Sequence, residues 1–466
     1  MHIRYVAEHG VYIAKNAGNG PGASGNVPKL LGARVHVDLA GVVNGWVPVT
    51  DVPDEQARVH SGFVELDRLS PTQQLKIFYV DVGQGDATLI EGEGAVVIVD
   101  GGPNSGFHKY LQKRLKALRR ADAAIGMPER EHLFIDAVFV SHFDQDHYQG
   151  LVAVLKDPGF RIGTLYHNGL PRYGESAGKD LDLGTIVEHQ DGTRSISTDL
   201  SGIASARTHL GSDDFKAASG RPNNFRKFLD ALVTAHDAGR LNSVRRLVAR
   251  DPASVPDVVA VGADLRFQVL GPLTTRQTGA VRLPCFPDPH KVTPTNPRPA
   301  PSESHTINGN SIVLRLVYRN VRFLFGGDLN QPAQRYLHER YGNSGRFRVD
   351  VNKACHHGSS DFDVVFIKDI STSATVFSSG DNGSYDHPLP DAIGAAARHS
   401  DGEVPLVFST ELARDNLAGG KIRFGHINAR SNGDTLVMAQ KKERPGRSTN
   451  PWHTFPVPYP GPFSHG

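Results

Sequence analysis

A chain of 466 residues, 39% of them hydrophobic, is too long for one ordinary core and implies two or three structural units. Its 51 basic and 49 acidic side chains leave a formal charge of +2, which excludes a global field for nucleic acid or membranes and leaves only a local basic face. Two cysteines, Cys285 and Cys355, exclude a disulfide framework and a thiolate zinc cage. The first residues, MHIRYVAEHG, lack a signal peptide's basic and apolar regions, and no stretch reaches membrane-spanning length, so a soluble cytoplasmic protein is expected.

Residues 1–74 read as a small β-rich domain. Short β-favouring runs at 11–14, 33–38, 45–49 and 62–66 alternate with Gly-, Asn- and Pro-rich turns. The phrases Asn44-Gly45-Trp46-Val47-Pro48-Val49 and Gly62-Phe63-Val64-Glu65-Leu66 resemble bacterial SH3-like modules, which implies a protein partner for this domain. Ser70-Pro71-Thr72 reads as a linker. Strands follow at 75–82, 87–91 and 95–100, the last closed by Gly101-Gly102, and residues 107–120 have helical spacing. The apolar run 134–140 is short enough for a buried strand and delivers Ser141-His142 into a loop. An insertion at about 170–300 is less regular. Helical periodicity at 223–237 and 241–250 places Arg226, Lys227, Arg240, Arg245, Arg246 and Arg250 on polar positions, as a solvated helical insertion or a substrate-binding lid. The Pro-rich segment 283–305 reads as a long loop. Strands resume at 311–317 and 321–325, and the last is expected at 435–439. The tail 441–466, polar and Pro-rich, reads as a loosely docked extension.

The chemistry concentrates after the buried strand. Ser141-His142-Phe143-Asp144-Gln145-Asp146-His147 packs four metal-capable side chains into six residues, enough imidazoles and carboxylates to surround two cations. Residues 322–328 form a strand ending in Gly326-Gly327-Asp328, whose glycines turn the backbone and leave a carboxylate able to bridge two metals. Residues 351–359 deliver His356 and His357. Ser379-Gly380-Asp381-Asn382 and Asp386-His387-Pro388 follow a third strand at 375–378. His167, His189, His209, His236 and His290 have no ligand-type neighbours in sequence and read as surface or packed residues.

The order DVGQGDATLI, VDGG, SHFDQDH, NSIVLRL, FLFGGD, ACHHGSS, SSGDNGSYDHP resembles the metallo-β-lactamase superfamily. More narrowly it is similar to the ComEC-type hydrolase domain of bacterial DNA-uptake channels and, more remotely, to phosphorylcholine esterases. The likeness spans roughly 75–440, the expected hydrolase domain, with 155–300 largely unmatched. It implies an α/β architecture: an αβ/βα sandwich with metals at one edge, preceded by the small all-β domain. It further implies two divalent ions, Zn or Mn with Mg as an alternative. His142 and Asp144 would bind the first, Asp146 and His147 the second, with Asp328 bridging and one of His356 and His357 completing the second site. His357 is the preferred ligand, with His356 turned toward substrate. Asp144 stands where the superfamily's commonest loop has His, which hardens the first site toward manganese or magnesium. The usual histidine before the Gly-Asp strand is missing; His305, Asn308 and Asn310 stand there, and Asn308 is read as an outer or weak ligand, so a single-metal enzyme is an alternative.

The reaction these features imply is phosphodiester hydrolysis by metal-activated water, on DNA or RNA first and on small phosphodiesters second. Asp146, as a ligand that sets geometry, and His356 or His387, as proton donors, are expected to carry catalysis. Ser359, Ser379, Asn382 and Asn308 are expected to meet substrate. Asp81, Asp86 and Asp100 either orient ligand histidines or cap turns in the first hairpins. A non-catalytic adaptor or sensor is the reading from another class.

Overall fold

Apolar residues alternating along two sets of strands give each sheet an inner face, and the two inner faces meet. The computed structural model describes residues 1–52, 59–174, 177–179, 182–216, 223–275, 280–380, 385–412, 422–423, 425–442 and 450–458. One sheet has nine strands in the order Leu241–Arg246, Phe160–His167, Leu133–Phe139, Ala95–Gly101, Ala87–Gly92, Leu75–Tyr79, Ile427–Ser431, Leu436–Lys441 and Trp452–Pro456. Its first four strands are parallel and the rest antiparallel. The other has seven: Val258–Val261, Leu265–Gly271, Val313–Tyr318, Val321–Phe325, Val351–Lys353, Ala374–Phe377 and Leu406–Ser409, antiparallel at first and parallel from Val321 onward.

Ile77, Val97 and Phe139 from one sheet share a core with Phe267, Leu316 and Phe323 from the other. On the outer face of the nine-stranded sheet, Phe78, Leu89 and Val138 pack against Phe107 and Leu111 of helix Gly106–Ala123 and Phe228 of helix Asn224–Asp237. Helices Gln331–Tyr341, Val364–Ile370 and Pro390–Arg398 cover the opposite outer face. The result is the expected four-layer αβ/βα sandwich.

An all-β unit precedes it, with strand order Ser61–Glu65, Trp46–Asp51, Arg34–Val37, His2–Val6, Leu69–Ser70 and its own core of Val6, Val35, Val37, Val47 and Val64. It docks through a buried Arg34–Asp122 ion pair of 2.6 Å and through Asn432 Nδ2, which donates to Ala7 O at 3.0 Å. Ser70, read as linker, pairs instead with Tyr5 in this sheet.

Several expectations are corrected. Residues 241–250 open as a strand, Leu241–Arg246, not a helix. Leu241 and Val244 sit three apart like a helical turn, but helix Asn224–Asp237 must return to the sheet, and 241–246 closes that crossover beside Phe160–His167. Helix Asn224–Asp237 is not simply solvated: Phe225, Phe228, Leu229 and Leu232 are buried. Basic groups of this helix and of the segment after it are spent on backbone carbonyls, Arg226 on Leu210 and Ser212, Arg240 on Leu155, and Arg246 on Thr198. The segment 283–305 is no plain loop either, since Arg282–Pro284 pairs with Arg194–Ser197 and Glu303 opens a helix, Glu303–Gly309, capped by Ser302. The tail carries a further strand, Trp452–Pro456, whose β-favouring Trp452 and Phe455 outweigh the Pro-rich surroundings.

Candidate metal centre

Both halves of the site lie where strands end. After Val99 the ladder bulges, and Asp100 takes a left-handed conformation (φ 57°) that turns its carboxylate inward. There it accepts from Ser141 N and Ser141 Oγ, both at 2.7 Å, and lies 2.9 Å from His147 Nδ1. With Nδ1 engaged, His147 presents Nε2 to the crevice, 3.2 Å from Asp328 Oδ2. His142 is fully buried. Its Nδ1 lies 3.1 Å from Ser141 Oγ and 3.3 Å from Ser311 Oγ, while its Nε2 lies 3.8 Å from Asp144 Oδ2.

The second sheet brings Asp328 and the paired histidines. Gly327 has φ 54°, and a Cβ there would stand 2.8 Å from Ser141 Cβ and from Ser311, so the two loops cross too closely for any larger residue. His356 and His357 both hold left-handed backbone, φ 51° and 53°, a costly conformation for non-glycine residues that recurs at functional sites. His357 Nδ1 donates to Ser378 O at 2.9 Å. Its Nε2 lies 3.1 Å from Asp146 Oδ2, 3.2 Å from Asp328 Oδ2 and 3.3 Å from His147 Nε2.

Two imidazole nitrogens and two carboxylates thus converge on one point. His142 Nε2 and Asp328 Oδ1 are buried with no hydrogen-bond partner among the described residues, a cost that a cation would remove. Neutral and anionic donors, orphaned and mutually crowded, fit divalent metal. His147, His357, Asp146 and Asp328 would hold one ion, and His142, Asp144 and Asp328 another. Asp86 belongs to the same buried cluster. It reaches the Nδ1 sides of His147 (3.8 Å) and His357 (3.3 Å) and pairs with the buried Lys353, so it orients ligands rather than facing the cation.

Electrostatics follow from this crowding. Burial alone would push His147 and His357 down, but the surrounding carboxylates, Asp328 foremost, hold both well above the ordinary histidine value. Asp146 and Asp328 are held down by the same two imidazoles against the effect of burial. Burial and the neighbouring His147 charge push His142 well below its usual value. Asp144 is pushed up to about 6 by burial, with Arg172 opposing.

The other expected residues divide. His356, its pKa lowered by burial, has Nε2 3.4 Å from Asn308 Nδ2. His387 lies with its ring 6.0 Å from that of His356, has Gln84 Nε2 3.2 Å from its Nδ1, and is pushed down to about 4 by burial and the adjacent histidines. Ser359 Oγ accepts from Asp361 N as a turn hydroxyl. Ser379 is fully buried and its hydroxyl is spent on Glu411 O at 3.0 Å, so it is not brought to the crevice as a phosphate donor; the closing strand ends claim it. Asn382 lies outside the described residues. Sequence reasoning missed Lys353, whose only signal was a lone cation just before the paired histidines; the strand it ends, Val351–Lys353, is buried throughout. It also missed Arg172 and Glu303, joined at 2.9 Å with Arg172 3.5 Å from Asp144.

Residues 80–264 match the family model described as metallo-beta-lactamase superfamily. No curated protein sequence matches the chain. Among solved structures it is similar to the metallo-beta-lactamase fold protein YhfI from Bacillus subtilis, at 9% identity over 77% of this chain and 100% of that one, TM-score 0.32. It is likewise similar to a diphosphatase from the PhnP family, at 10% identity over 75% and 99%, TM-score 0.31. A third likeness is to CmlA, a diiron beta-hydroxylase from Streptomyces venezuelae, at 12% identity over 77% and 56%, TM-score 0.30.

Proposed function

We propose that this protein is a metal-dependent phosphodiester hydrolase, a reading supported by the match of residues 80–264 to the metallo-beta-lactamase superfamily model. The observation that carries the reading is the convergence of His147 Nε2, His357 Nε2, Asp146 and Asp328 beside the orphaned His142 Nε2. Three carboxylates against three imidazoles make a hard donor set, suited to manganese or magnesium as well as zinc and to phosphate oxygens. When bound, the cations supply Lewis acidity, neutralising phosphoryl charge and activating water.

The protein's own groups do the rest. Asp100 and Asp86 fix the rings of His147 and His357, so their Nε2 atoms stay aimed at the crevice. His356 takes the Asn308 amide at Nε2, which leaves its proton on Nδ1, a buried atom with no hydrogen-bond partner among the described residues. His387, with the Gln84 amide at Nδ1, keeps its proton at Nε2 and is neutral at pH 7. The seven-motif likeness to ComEC-type domains supports a DNA or RNA strand as substrate. A small phosphodiester is the second reading, favoured because Arg226, Arg240 and Arg246 are turned onto carbonyls rather than left to grip a strand. For the N-terminal unit the likeness of residues 44–49 and 62–66 to SH3-like modules supports a protein partner.

The test is hydrolysis of bis-p-nitrophenyl phosphate and of labelled single- and double-stranded DNA, with Mn²⁺, Zn²⁺ or Mg²⁺ restored after chelation. Metal-dependent turnover that disappears in Asp146→Ala, with circular dichroism unchanged, is expected. Cleavage of the small ester alone moves the substrate to the second reading. A protein that binds metal yet turns over neither overturns the proposal.

A further inference from the structure

We propose that Arg172 is the substrate-recognising cation of this site: its guanidinium binds a non-bridging oxygen of the phosphate and so restricts the centre to anionic phosphoryl substrates. This inference rests on the hydrolase reading above. Arg172 stands beyond the end of strand Phe160–His167, and its backbone is pinned. Its carbonyl accepts from Asn223 Nδ2 at 3.0 Å, and Asn223 Oδ1 in turn caps helix Asn224–Asp237. The guanidinium then reaches between two carboxylates, 2.9 Å from Glu303 Oε1 and 3.5 Å from Asp144 Oδ1. The other oxygen of Asp144 lies 3.8 Å from the orphaned His142 Nε2, so a single carboxylate separates the guanidinium from the first candidate cation position.

A guanidinium carries five N–H donors in one plane. Two carboxylate contacts leave donors over, and the side chain is 25% exposed, beside carboxylates exposed by 31% and 33%. The cluster therefore lines the open mouth of the crevice, not the core. The planar fork matches phosphate oxygens in a way an ammonium does not. The other cation at the centre, Lys353, is buried and paired with Asp86, so it is closed to substrate. A plain structural clamp between the loop and helix Glu303–Gly309 would need only the Glu303 contact; the reach to Asp144 adds nothing to it.

The test uses full-length protein loaded with Mn²⁺: wild type, Arg172→Met, Arg172→Lys and, as a control for loss of charge, Arg207→Met at an exposed arginine paired with Asp237. Three quantities are read: Mn²⁺ stoichiometry and affinity, calorimetric binding of inorganic phosphate, and the KM and kcat for bis-p-nitrophenyl phosphate. In Arg172→Met, phosphate binding weakens and KM rises by about tenfold or more, the worth of a charged hydrogen bond, with Mn²⁺ stoichiometry intact. Arg172→Lys recovers part of the loss, and it carries the comparison alone if Arg172→Met does not fold. Arg207→Met leaves phosphate affinity at the wild-type value. Wild-type phosphate affinity in Arg172→Met, or an equal loss in Arg207→Met, overturns the inference. Wild-type protein that neither binds phosphate nor turns over a diester overturns the hydrolase reading itself, whereas turnover indifferent to Arg172 overturns this assignment alone.

Discussion

Asp100 shows how much of the site rests on one side chain that touches no substrate. Its two oxygens hold Ser141 and the Nδ1 side of His147, and its left-handed backbone exists to place them. Asp100→Asn keeps the shape but loses the acceptor that fixes His147. Metal affinity should fall about ten- to a hundredfold, the usual effect of removing such a partner, with the melting profile of the metal-free protein little changed. Competition titration against a chromophoric chelator measures it, and wild-type affinity would show that His147 is held by packing instead. The residues that converge on the crevice were legible because the segment from Ser141 to His147 is contiguous and the two later motifs end strands in glycine or paired histidine. Lys353, Arg172 and Glu303 were not, because each stands outside the contiguous motifs and is brought to the site by a partner distant in sequence, Asp86 for Lys353 and Arg172 and Glu303 for one another.

At the scale of elements, a buried charge cluster joins strand Leu75–Tyr79, strand Ala87–Gly92 and helix Gly106–Ala123. Glu91 accepts from Arg114 at 2.6 and 2.8 Å and pairs with Lys76 at 2.8 Å, directly across the ladder. Burial opposes its ionisation, but the two cations win and hold Glu91 at about 2, below its ordinary value of 4.5. A depressed carboxylate stabilises the fold fully above its unfolded pKa and ceases to do so as pH falls through the folded one. Between pH 5 and pH 2 this cluster should therefore cost the protein about 3 kcal/mol, read as a falling urea midpoint. Glu91→Gln should be destabilised by about 3–5 kcal/mol at pH 7, because Arg114 and Lys76 are then buried without their carboxylate, and its stability should respond less to acid. An unchanged acid response would assign the loss to other carboxylates. Periodicity found most strands of the sandwich, yet it read 241–250 as helix, since a short edge strand with apolar residues three apart carries no period of two to betray it.

For the molecule as a whole, the nine-stranded sheet closes with Trp452–Pro456, and Val457 reaches the central core. A chain ending at Lys441 would leave Leu436–Lys441 as an exposed apolar edge, so it should melt earlier and aggregate, as light scattering during a thermal ramp would show. Equal melting without scattering would mean that the strand is dispensable. The family resemblance implied the layer order, but this strand stayed hidden, because proline on either side looks like a tail until its pairing partner is known. The pairing of Leu75–Tyr79 with Ile427–Ser431 has a further consequence. Asp81 N, just past the first of these strands, donates to His426 Nδ1, a residue 345 positions later. During synthesis the loop from Ser141 to His147 therefore leaves the ribosome long before Asp328 and His357 exist to oppose it. The growing chain cannot bring the full donor cluster together until the ends of both later strands, with Asp328 and His357, have been made.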